Sequence, residues 1–357
     1  PKYVDDIHAE GIKMFGRCVH LKDGSQSFQF YGKPDEYILS VGRRFLNEYL
    51  MTRAEQFSNV KIHFNDGTKR VNLKNTSITT AKNGEVKGQF IVGADGLHSP
   101  VRRSIQEYSE ARFQYQQKYM THSYKELILL PKNGEHAMRV DSLHIWPRED
   151  FMLIALPNPT KDFTVTLFLR TETDLSKCPY SFENLNSDEK VLKFFRDEFS
   201  DYLELAGEEA FLQSWHENPT CGLAWVKAYP HHFNKCLLIG DAGHAIIPFY
   251  GQGVNCGLED CRVLDGLWDA HQGDVEQIFN AYSKLRKPAT DAICELAEYN
   301  FIEMAALTAS QAFALKKKIG MFLYKLMPNK FIPLYTMVTF SPHISYDVAW
   351  KTYRDRE

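Results

Sequence analysis

The sequence predicts an α/β fold with an inserted antiparallel β-sheet and a helical C-terminal region. Two short apolar runs, residues 90–93 and 237–239, each lead through a glycine to an aspartate and then to a helix start. This pattern is typical of buried parallel strands in an open α/β sheet. Between them, residues 123–170 contain five alternating or apolar runs of strand length, which predict an antiparallel sheet.

The composition is that of an ordinary globular protein. The 357 residues are 44% hydrophobic and 24% charged, which allows two domains or one large composite domain. The net charge of −3 gives no reason to expect a nucleic-acid partner. The seven cysteines are odd in number and lack C-x-x-C spacing, so we expect reduced thiols and no metal site. No apolar run approaches the length of a membrane span, and no signal peptide is present.

The first third of the chain mixes short strands with one helix. Strand-like runs are expected at residues 17–21, 27–32, 61–64 and 71–74. The spacing of Leu46, Tyr49 and Leu50 predicts a helix between the second and third of these runs.

The second half is predicted to be mainly helical. Residues 180–215 have a polar helical character, and residues 274–307 predict a long helix or a helix pair broken near Pro288. Residues 314–327 form a basic amphipathic pattern. We interpret it as a solvated lysine face above an apolar face that packs on the core, with contact to a membrane surface as the alternative.

The most informative segment, residues 236–260, predicts a flavin site. A buried strand ends at Gly240, and Asp241 at its carboxyl end could accept hydrogen bonds from the hydroxyls of a ribityl chain; the alternative is a plain helix cap. The turn Gly251-Gln252-Gly253 allows close approach of a ligand, and a helix then begins near Val254. The amides of that helix end would stabilise an anionic flavin by about 0.3–2 kcal/mol.

A second polar segment follows the earlier buried strand. Asp95-Gly96 precedes Arg102 and Arg103, which lie in the first turn of a predicted helix, where the helix dipole disfavours cations. This placement suggests a phosphate or carboxylate partner, with a surface salt bridge as the alternative. Arg43 and Arg44 stand at the start of another predicted helix, so a phosphate or carboxylate partner is suggested for them on the same grounds.

These motifs resemble those of the FAD-dependent aromatic hydroxylases, the single-component flavoprotein monooxygenases. Three further stretches narrow the resemblance to the kynurenine 3-monooxygenase family, and the similarity extends over essentially the whole chain. They are YILSVGRRFLN (37–47), LHIWPREDFMLIALPN (143–158) and FIPLYTMVTFS (331–341). The resemblance implies hydroxylation of L-kynurenine to 3-hydroxykynurenine with FAD, NADPH and O2, in tryptophan catabolism and the kynurenine pathway of NAD biosynthesis.

The resemblance also assigns roles to residues, and it requires no catalytic side chain beyond the flavin. The implied substrate contacts are Arg17, Tyr31, Asn300, Tyr335, Phe249 and Gln252. The implied FAD contacts are Arg43, Thr68, Asp241, Val254 and Asn255. The sequence departs from the family pattern at Val254, where the family usually has Met, at Gly243, where it usually has Ala, and at Thr68, where it often has Leu. It also has GADGLHS (93–99) where the family has GCDGAYS. His244 is interpreted as a structural hydrogen-bonding residue rather than a base.

The expected domain organisation follows from these assignments. Residues 1–110 and 216–275 would form an incomplete FAD-binding Rossmann-like domain, 111–215 a substrate domain built on the antiparallel sheet, and 276–357 a helical region that contributes to the substrate pocket. No Gly-x-Gly-x-x-Gly loop for the pyrophosphate follows any predicted strand. We therefore expect this sequence to be the larger part of a flavoenzyme whose first βαβ unit precedes it.

The resemblance implies a location on the cytosolic face of the mitochondrial outer membrane, through a C-terminal segment that this sequence does not include. Two alternatives remain at this stage. One is a related hydroxylase of another aromatic acid. The other is a non-catalytic scaffold without FAD, which would be colourless where a flavoprotein is yellow.

Overall fold

The computed structural model describes residues 2–33, 35–108, 112–305, 311–327 and 330–356. The chain divides into two compact units, each assembled from three segments. The first unit comprises Pro1–Lys61, Met120–Leu223 and Ile302–Thr336. The second unit comprises Ile62–Tyr119, Ala224–Phe301 and Met337–Glu357. The domain boundaries expected from the sequence remain a prediction.

Strands and helices are numbered in chain order. The strands are β1 (Ile12–Met14), β2 (Gly16–His20), β3 (Gln26–Phe30), β4 (Ile38–Ser40), β5 (Thr68–Asn72), β6 (Ser77–Thr80), β7 (Gly84–Lys87), β8 (Ile91–Gly93), β9 (Gln114–Leu129), β10 (Ser142–Arg148), β11 (Phe151–Pro157), β12 (Phe163–Arg170), β13 (Thr220–Tyr229), β14 (His232–Phe233) and β15 (Cys236–Leu238). The helices are α1 (Lys2–Glu10), α2 (Arg43–Ala54), α3 (Pro100–Glu107), α4 (Asp188–Glu198), α5 (Ser200–Ala206), α6 (Glu208–Glu217), α7 (Asp241–His244), α8 (Gly253–Ala270), α9 (Val275–Ala305), α10 (Gln311–Leu326), α11 (Leu334–Phe340) and α12 (Tyr346–Arg354).

The largest sheet has the strand order β13-β9-β12-β11-β10-β2-β3. Strands β9, β12, β11 and β10 are successively antiparallel, and this confirms the sheet that the alternating runs of residues 123–170 predict. Four of the five predicted runs form strands. The remaining run, residues 136–140, contains no strand. β2 extends the sheet by pairing parallel to β10, and β3 pairs antiparallel to β2.

Helices α4–α6 supply apolar side chains to the core beside this sheet. Phe194, Phe195, Phe199 and Phe211 are fully buried and belong to one cluster with Trp146 of β10. The predicted helical character of residues 180–215 is confirmed from Asp188 onwards, whereas residues 180–187 contain no helix. The polar side chains of these helices are confined to one face. Burial of each aromatic side chain contributes roughly 1.5–3 kcal/mol to folding. The aromatic face of these helices therefore packs against the sheet.

The second unit contains the two predicted buried parallel strands. β8 and β15 pair in parallel, with Ile91 opposite Cys236 and Gly93 opposite Leu238, and β14 extends the sheet beyond β15. Helix α9 packs Ile278 and Phe279 into the core beside Leu237 of β15. The carboxyl ends of the two parallel strands therefore lie together at one edge, where ligands of open α/β sheets bind.

Two further local predictions are wrong, whereas the helix predicted from Leu46, Tyr49 and Leu50 is confirmed as α2. Residues 61–64 form no strand. Helix α9 continues through Pro288 without a break. A proline inside a helix costs about 3 kcal/mol, and the fully buried Ile278, Phe279, Ile293 and Leu296 on either side outweigh that cost.

The apolar stripe of α10 does not pack on the core as expected. Leu315, Ile319, Phe322 and Leu326 recur at helical spacing and are 59%, 52%, 61% and 62% exposed. Apolar side chains exposed at this spacing form one continuous surface on the helix. Among the helices that the structure describes, none has the length and hydropathy needed to cross a membrane.

Candidate functional site

In the first unit, Arg17, Tyr31 and Tyr335 come together around a buried guanidinium. Arg17 lies on β2, between β10 and β3, and its side chain is 6% exposed. Its guanidinium carbon is 5.6 Å from the centre of the Tyr31 ring and 5.0 Å from that of the Tyr335 ring. The two rings stack with centroids 5.2 Å apart and an interplanar angle of 16°. Each ring thus adds a cation–π contact to the arginine.

The protonation state of this cluster follows from its burial. Burial raises the pKa of the Tyr31 hydroxyl, and the neighbouring Tyr335 raises it further. The phenol therefore stays protonated at neutral pH and can donate a hydrogen bond. A guanidinium fork beside a phenol donor is suited to a carboxylate, which accepts two parallel N–H bonds from arginine.

In the second unit, the other three residues predicted to contact substrate also lie together. Asn300 of α9 donates from Nδ2 to the carbonyl oxygen of Phe249 at 2.6 Å. Gln252 accepts from the Tyr346 hydroxyl at 3.1 Å and from Nδ2 of Asn255 at 3.3 Å. Asn300, Phe249 and Gln252 are all at least nine-tenths buried. The residues that precede α8 are therefore fixed by side chains of α9 and α12.

Tyr346 is a site residue that the sequence prediction missed. It begins α12, is buried, and fixes the amide orientation of Gln252. Burial raises its pKa, so the hydroxyl remains a donor. A single tyrosine in a mixed segment carries no pattern that separates it from a core residue, and only the contact reveals its role.

The end of β15 forms the turn that the flavin prediction requires. Gly240 adopts a left-handed φ of 55°, and its N–H donates to Oδ2 of Asp260 at 2.8 Å. Asp241 follows as the first residue of α7, and its side chain is exposed. Neighbouring protein atoms partly desolvate its carboxylate and so raise its pKa, although the residue remains open to solvent. The carboxylate is therefore accessible to a ligand and is not used as a helix cap by its own chain.

The N-terminus of α8 is open to a ligand as well. Gly251 adopts a left-handed φ of 66°, no side chain caps the helix, and its first turn contains no acidic residue. Val254 is 58% exposed there and Asn255 is also exposed. An uncapped helix end with accessible amides attracts an anionic group. With Asp241 in the same unit, these residues fit the polar and anionic parts of FAD.

A buried ionic network supports this turn from behind. His244 Nε2 lies 2.6 Å from Oδ2 of Asp260, and Arg286 Nε lies 2.7 Å from Oδ1 of the same carboxylate. Burial alone would lower the pKa of His244, but its hydrogen bond to Asp260 raises the pKa to about 10. Burial likewise opposes ionisation of Asp260, and the His244 partner lowers its pKa to about 2. His244 is held in a structural ion pair, in agreement with the interpretation from the sequence.

Arg102 has a structural role in place of the ligand contact that its position suggested. The side chain is 4% exposed and donates to two backbone carbonyl oxygens, that of Ala242 at 2.7 Å and that of Leu97. Asp95 accepts hydrogen bonds from the Ser99 hydroxyl and, at 3.0 Å, from the Val101 N–H, so it caps α3. The guanidinium therefore ties α3 to α7.

The two other predicted FAD contacts, Arg43 and Thr68, lie in different units, and both are at least partly accessible to solvent. Arg43 is the first residue of α2, in the first unit, and is exposed. Thr68 begins β5 of the second unit, pairs with Thr80 of β6, and is half-buried. Their proposed roles rest on the resemblance alone.

Comparisons with known proteins place these features in a family. A profile of the FAD binding domain family matches residues 4–297. Kynurenine 3-monooxygenase of Sus scrofa is 42% identical over 342 residues, which cover 94% of this chain and 70% of the relative. The enzyme of the same name from Anopheles gambiae is 38% identical and covers 99% of this chain and 72% of its own length. A third relative of that name, from Christiangramia forsetii, is 37% identical and covers 94% of this chain and 75% of its own length.

Solved structures share the fold at lower identity. The tetrameric form of 2-methyl-3-hydroxypyridine-5-carboxylic acid oxygenase has a TM-score of 0.66 and 19% identity, covering 97% of this chain and 84% of the other. Klebsiella pneumoniae HpxO complexed with FAD and uric acid has a TM-score of 0.65 and 14% identity, covering 88% and 78%. The predicted α/β fold of an FAD-binding protein is thereby confirmed.

Proposed function

This chain belongs to the kynurenine 3-monooxygenase family, and we propose that it is a flavoprotein monooxygenase that converts L-kynurenine to 3-hydroxykynurenine with FAD, NADPH and O2. The observation that carries the proposal is the cluster of Arg17, Tyr31 and Tyr335, in a chain 42% identical to a kynurenine 3-monooxygenase. A buried guanidinium beside two stacked aromatic rings suits a small amino acid with an aromatic ring and a free carboxylate.

The residues at the end of β15 and the start of α8 would hold the flavin. Asp241 would accept hydrogen bonds from the hydroxyls of the ribityl chain, and Val254 and Asn255 would contact the ring from the first turn of α8. We extend the same assignment to Arg43 and Thr68 for the remainder of the cofactor. When bound, FAD supplies the activation of O2 that no amino-acid side chain can provide. The chain's own contribution is to bind, orient and shield the reactants.

Binding of the amino-acid substrate is assigned to six residues. Arg17 would pair with the α-carboxylate in a bidentate fashion, and the protonated hydroxyl of Tyr31 would donate to the same group. Tyr335 would hold the guanidinium in place through its ring. The resemblance also assigns Phe249, Gln252 and Asn300 to the substrate. Their buried hydrogen bonds keep these side chains pre-organised, so little ordering is required on binding.

The N-terminus of α8 would favour the negative charge that a reduced flavin carries. Its uncapped amides stabilise an anion by about 0.3–2 kcal/mol. The ion network of His244, Asp260 and Arg286 fixes the turn that leads to Asp241, so this site would keep its shape whether or not a flavin is bound. No protein side chain needs to act as a base in this scheme.

The proposal is tested by measuring NADPH oxidation by the FAD-loaded protein with and without L-kynurenine. We expect kynurenine to stimulate the oxidation, and anthranilate and 4-hydroxybenzoate to stimulate it much less. Equal stimulation by all three acids would favour a hydroxylase with another substrate. A purified protein that is colourless after incubation with FAD and removal of the unbound FAD would contradict the assignment of a flavoprotein.

We also propose a location at the cytosolic face of the mitochondrial outer membrane and a role in tryptophan catabolism and NAD biosynthesis. The exposed stripe of Leu315, Ile319, Phe322 and Leu326 supports the membrane part, because an exposed apolar face on a helix of lysine-rich sequence binds anionic lipid surfaces. Sedimentation with cardiolipin-containing vesicles tests it. Binding should fall strongly in an Ile319→Glu, Phe322→Glu double variant, and undiminished binding would remove α10 from the contact.

A further inference from the structure

We propose that Cys18, His20 and His144 form a binding site for a zinc ion. The sulfur of Cys18 and one ring nitrogen of each histidine lie within 4.8 Å of one another, and all three side chains are at least nine-tenths buried. Cys18 and His20 are two positions apart on β2, so they point to the same face of the sheet. His144 is the register partner of Cys18 on the parallel strand β10. The sheet itself therefore assembles the three ligands.

The hydrogen bonds of the two imidazoles leave one nitrogen of each ring facing the other. His20 Nδ1 is 2.7 Å from Oδ2 of Asp201, and His144 Nε2 is 2.7 Å from the carbonyl oxygen of Arg139. Carboxylate and carbonyl oxygens only accept, so the two nitrogens that face them carry protons. His20 Nε2 and His144 Nδ1 lie 2.8 Å apart. Either a shared proton or a metal ion can bridge these two nitrogens.

The outer contacts are those of histidines that bind metals. A metal-bound histidine almost always donates its second N–H to a carboxylate or a backbone carbonyl, which fixes the tautomer and the ring orientation. Asp201 and the Arg139 carbonyl supply one such acceptor each. Asp201 is itself fixed, because Trp146 Nε1 lies 2.8 Å and 3.0 Å from its two oxygens.

The role of Cys18 differs between a metal and a shared proton. With a proton the thiol keeps its hydrogen bond to Oε1 of Gln26, at 3.7 Å in this structure. A zinc ion would take the sulfur as a ligand at about 2.3 Å, together with nitrogens at about 2.0–2.1 Å. The thiolate of Cys18 and the carboxylate of Asp201 would balance the charge of the ion. Arg139, the nearby cation, is already paired with Asp141, with Nη2 at 2.8 Å from Oδ2.

A cavity borders the two histidines, though not Cys18, and gives an ion access from their side. It has a volume of about 390 Å³ and is lined by both histidines, Gln26, Arg139 and Asp201, among others. Tetrahedral coordination requires the facing nitrogens to move apart by roughly 0.5 Å, and rings that border a cavity can move this far. The fourth coordination position would face the cavity and take a water molecule.

A second cluster of possible metal ligands in the described residues already holds a protein cation, which leaves no place for a metal ion. His244, Cys256 and Asp260 also offer ligand atoms within 4.8 Å of one another. There, however, the guanidinium of Arg286 occupies the place of a cation, with Nε at 2.7 Å from Asp260 and Nη2 at 3.4 Å from the sulfur of Cys256. This cluster serves as an internal control. The cysteine spacing, from which no metal site was expected, carries no information on the first cluster, because its third ligand comes from a distant strand.

The test is zinc binding by the FAD-loaded protein after chelator treatment, measured by competition with a chromophoric chelator. Cobalt absorption provides a second readout, because a thiolate ligand gives a sulfur-to-cobalt charge-transfer band. We expect one tightly bound zinc ion per chain and a charge-transfer band with cobalt. Cys18→Ser should abolish the band and weaken zinc binding at least about tenfold, and Asp201→Asn should weaken it about 10–100-fold.

The control variant is Cys256→Ser, which should bind zinc like the unchanged protein. Circular dichroism establishes whether each variant is folded. If Asp201→Asn does not fold, the zinc affinity of Cys18→Ser alone tests the site. Two results would overturn the site: an unchanged protein that binds no zinc, or a folded Cys18→Ser variant that binds it equally well. Either would leave a proton as the cation between His20 and His144.

Discussion

The guanidinium carbon of Arg17 lies 5.0 Å from the centre of the Tyr335 ring, although the two residues stand near opposite ends of the chain. Tyr31 stacks on the same ring, so a buried cation is bordered by two aromatic faces. This arrangement orients the fork of the guanidinium. The charge of Arg17 and the ring of Tyr335 can be tested separately.

Replacing Arg17 by Ala should weaken kynurenine binding and leave FAD binding unchanged. A hydrogen bond to a charged group contributes about 1.5–3 kcal/mol, which corresponds to roughly a 10–100-fold rise in KM or Kd. Arg103→Ala is the matched control, because it removes an exposed arginine of α3. Unchanged kynurenine affinity in Arg17→Ala would remove this residue from the substrate site.

Tyr335→Phe should be far milder than Tyr335→Leu. The Phe ring keeps the stack with Tyr31 and the cation–π contact, whereas Leu loses both, at a cost of about 0.5–2 kcal/mol each. We therefore expect the Kd for kynurenine to rise less than about tenfold in the Phe variant and more in the Leu variant. Identical affinities in the two variants would mean that the ring does not position Arg17.

Val254→Glu should lower the affinity for FAD without lowering the stability of the protein. A carboxylate in the first turn of α8 favours the helix itself but repels an anionic flavin from its amides. Leu258→Glu is the matched control, since Leu258 lies one turn later on α8 and is similarly exposed, at 51% against 58%. Fluorescence titration of the apoprotein with FAD measures the difference. Equal FAD affinities in the two variants would contradict the placement of the flavin at this helix end.

The sequence predicted best the segments whose pattern reports burial directly. The alternating runs of β9–β12 and the apolar runs of β8 and β15 could be identified because side-chain periodicity follows from packing on one or two faces. Asp241 and the Gly251 turn were also predictable, since glycine readily adopts a positive φ and an acid at a strand end lies where ligands of α/β sheets bind. The family resemblance was needed for Arg17 and Asn300, which have no local signature.

Other features depend on contacts between distant segments. Pro288 does not break α9 because core packing on both sides of it outweighs the lost hydrogen bond. Arg102 resembles a phosphate ligand in sequence, but its partners are two carbonyl oxygens, one of them supplied by Ala242 far along the chain. Tyr346 and the cluster of His20 with His144 likewise have no sequence pattern. Only the structure reveals their partners.

The ion pair of His244 and Asp260 predicts how stability depends on pH. The pKa of His244 is raised to about 10 from an unfolded value near 6.5, so its contribution is complete below about pH 6.5 and is lost as the pH rises towards 10. The pKa of Asp260 is lowered to about 2, so its contribution is complete above about pH 4 and is lost as the pH falls towards 2. We expect Tm to fall across both ranges.

His244→Gln should flatten the alkaline part of this profile and lower Tm near neutral pH. Breaking a buried ion pair costs about 3–5 kcal/mol, because the remaining charge loses its partner, although Arg286 still compensates part of it here. His98→Gln, at an exposed position, is the control. An alkaline decline that is as steep in His244→Gln as in the unchanged protein would show that another group causes it.

The most direct test of the proposed function is mass spectrometry of the product formed from L-kynurenine by the FAD-loaded protein, with NADPH, under ¹⁸O₂. We expect 3-hydroxykynurenine that carries one labelled oxygen atom on the ring. NADPH oxidation that yields only hydrogen peroxide, or a product labelled from water and not from O2, would contradict the proposed monooxygenase activity.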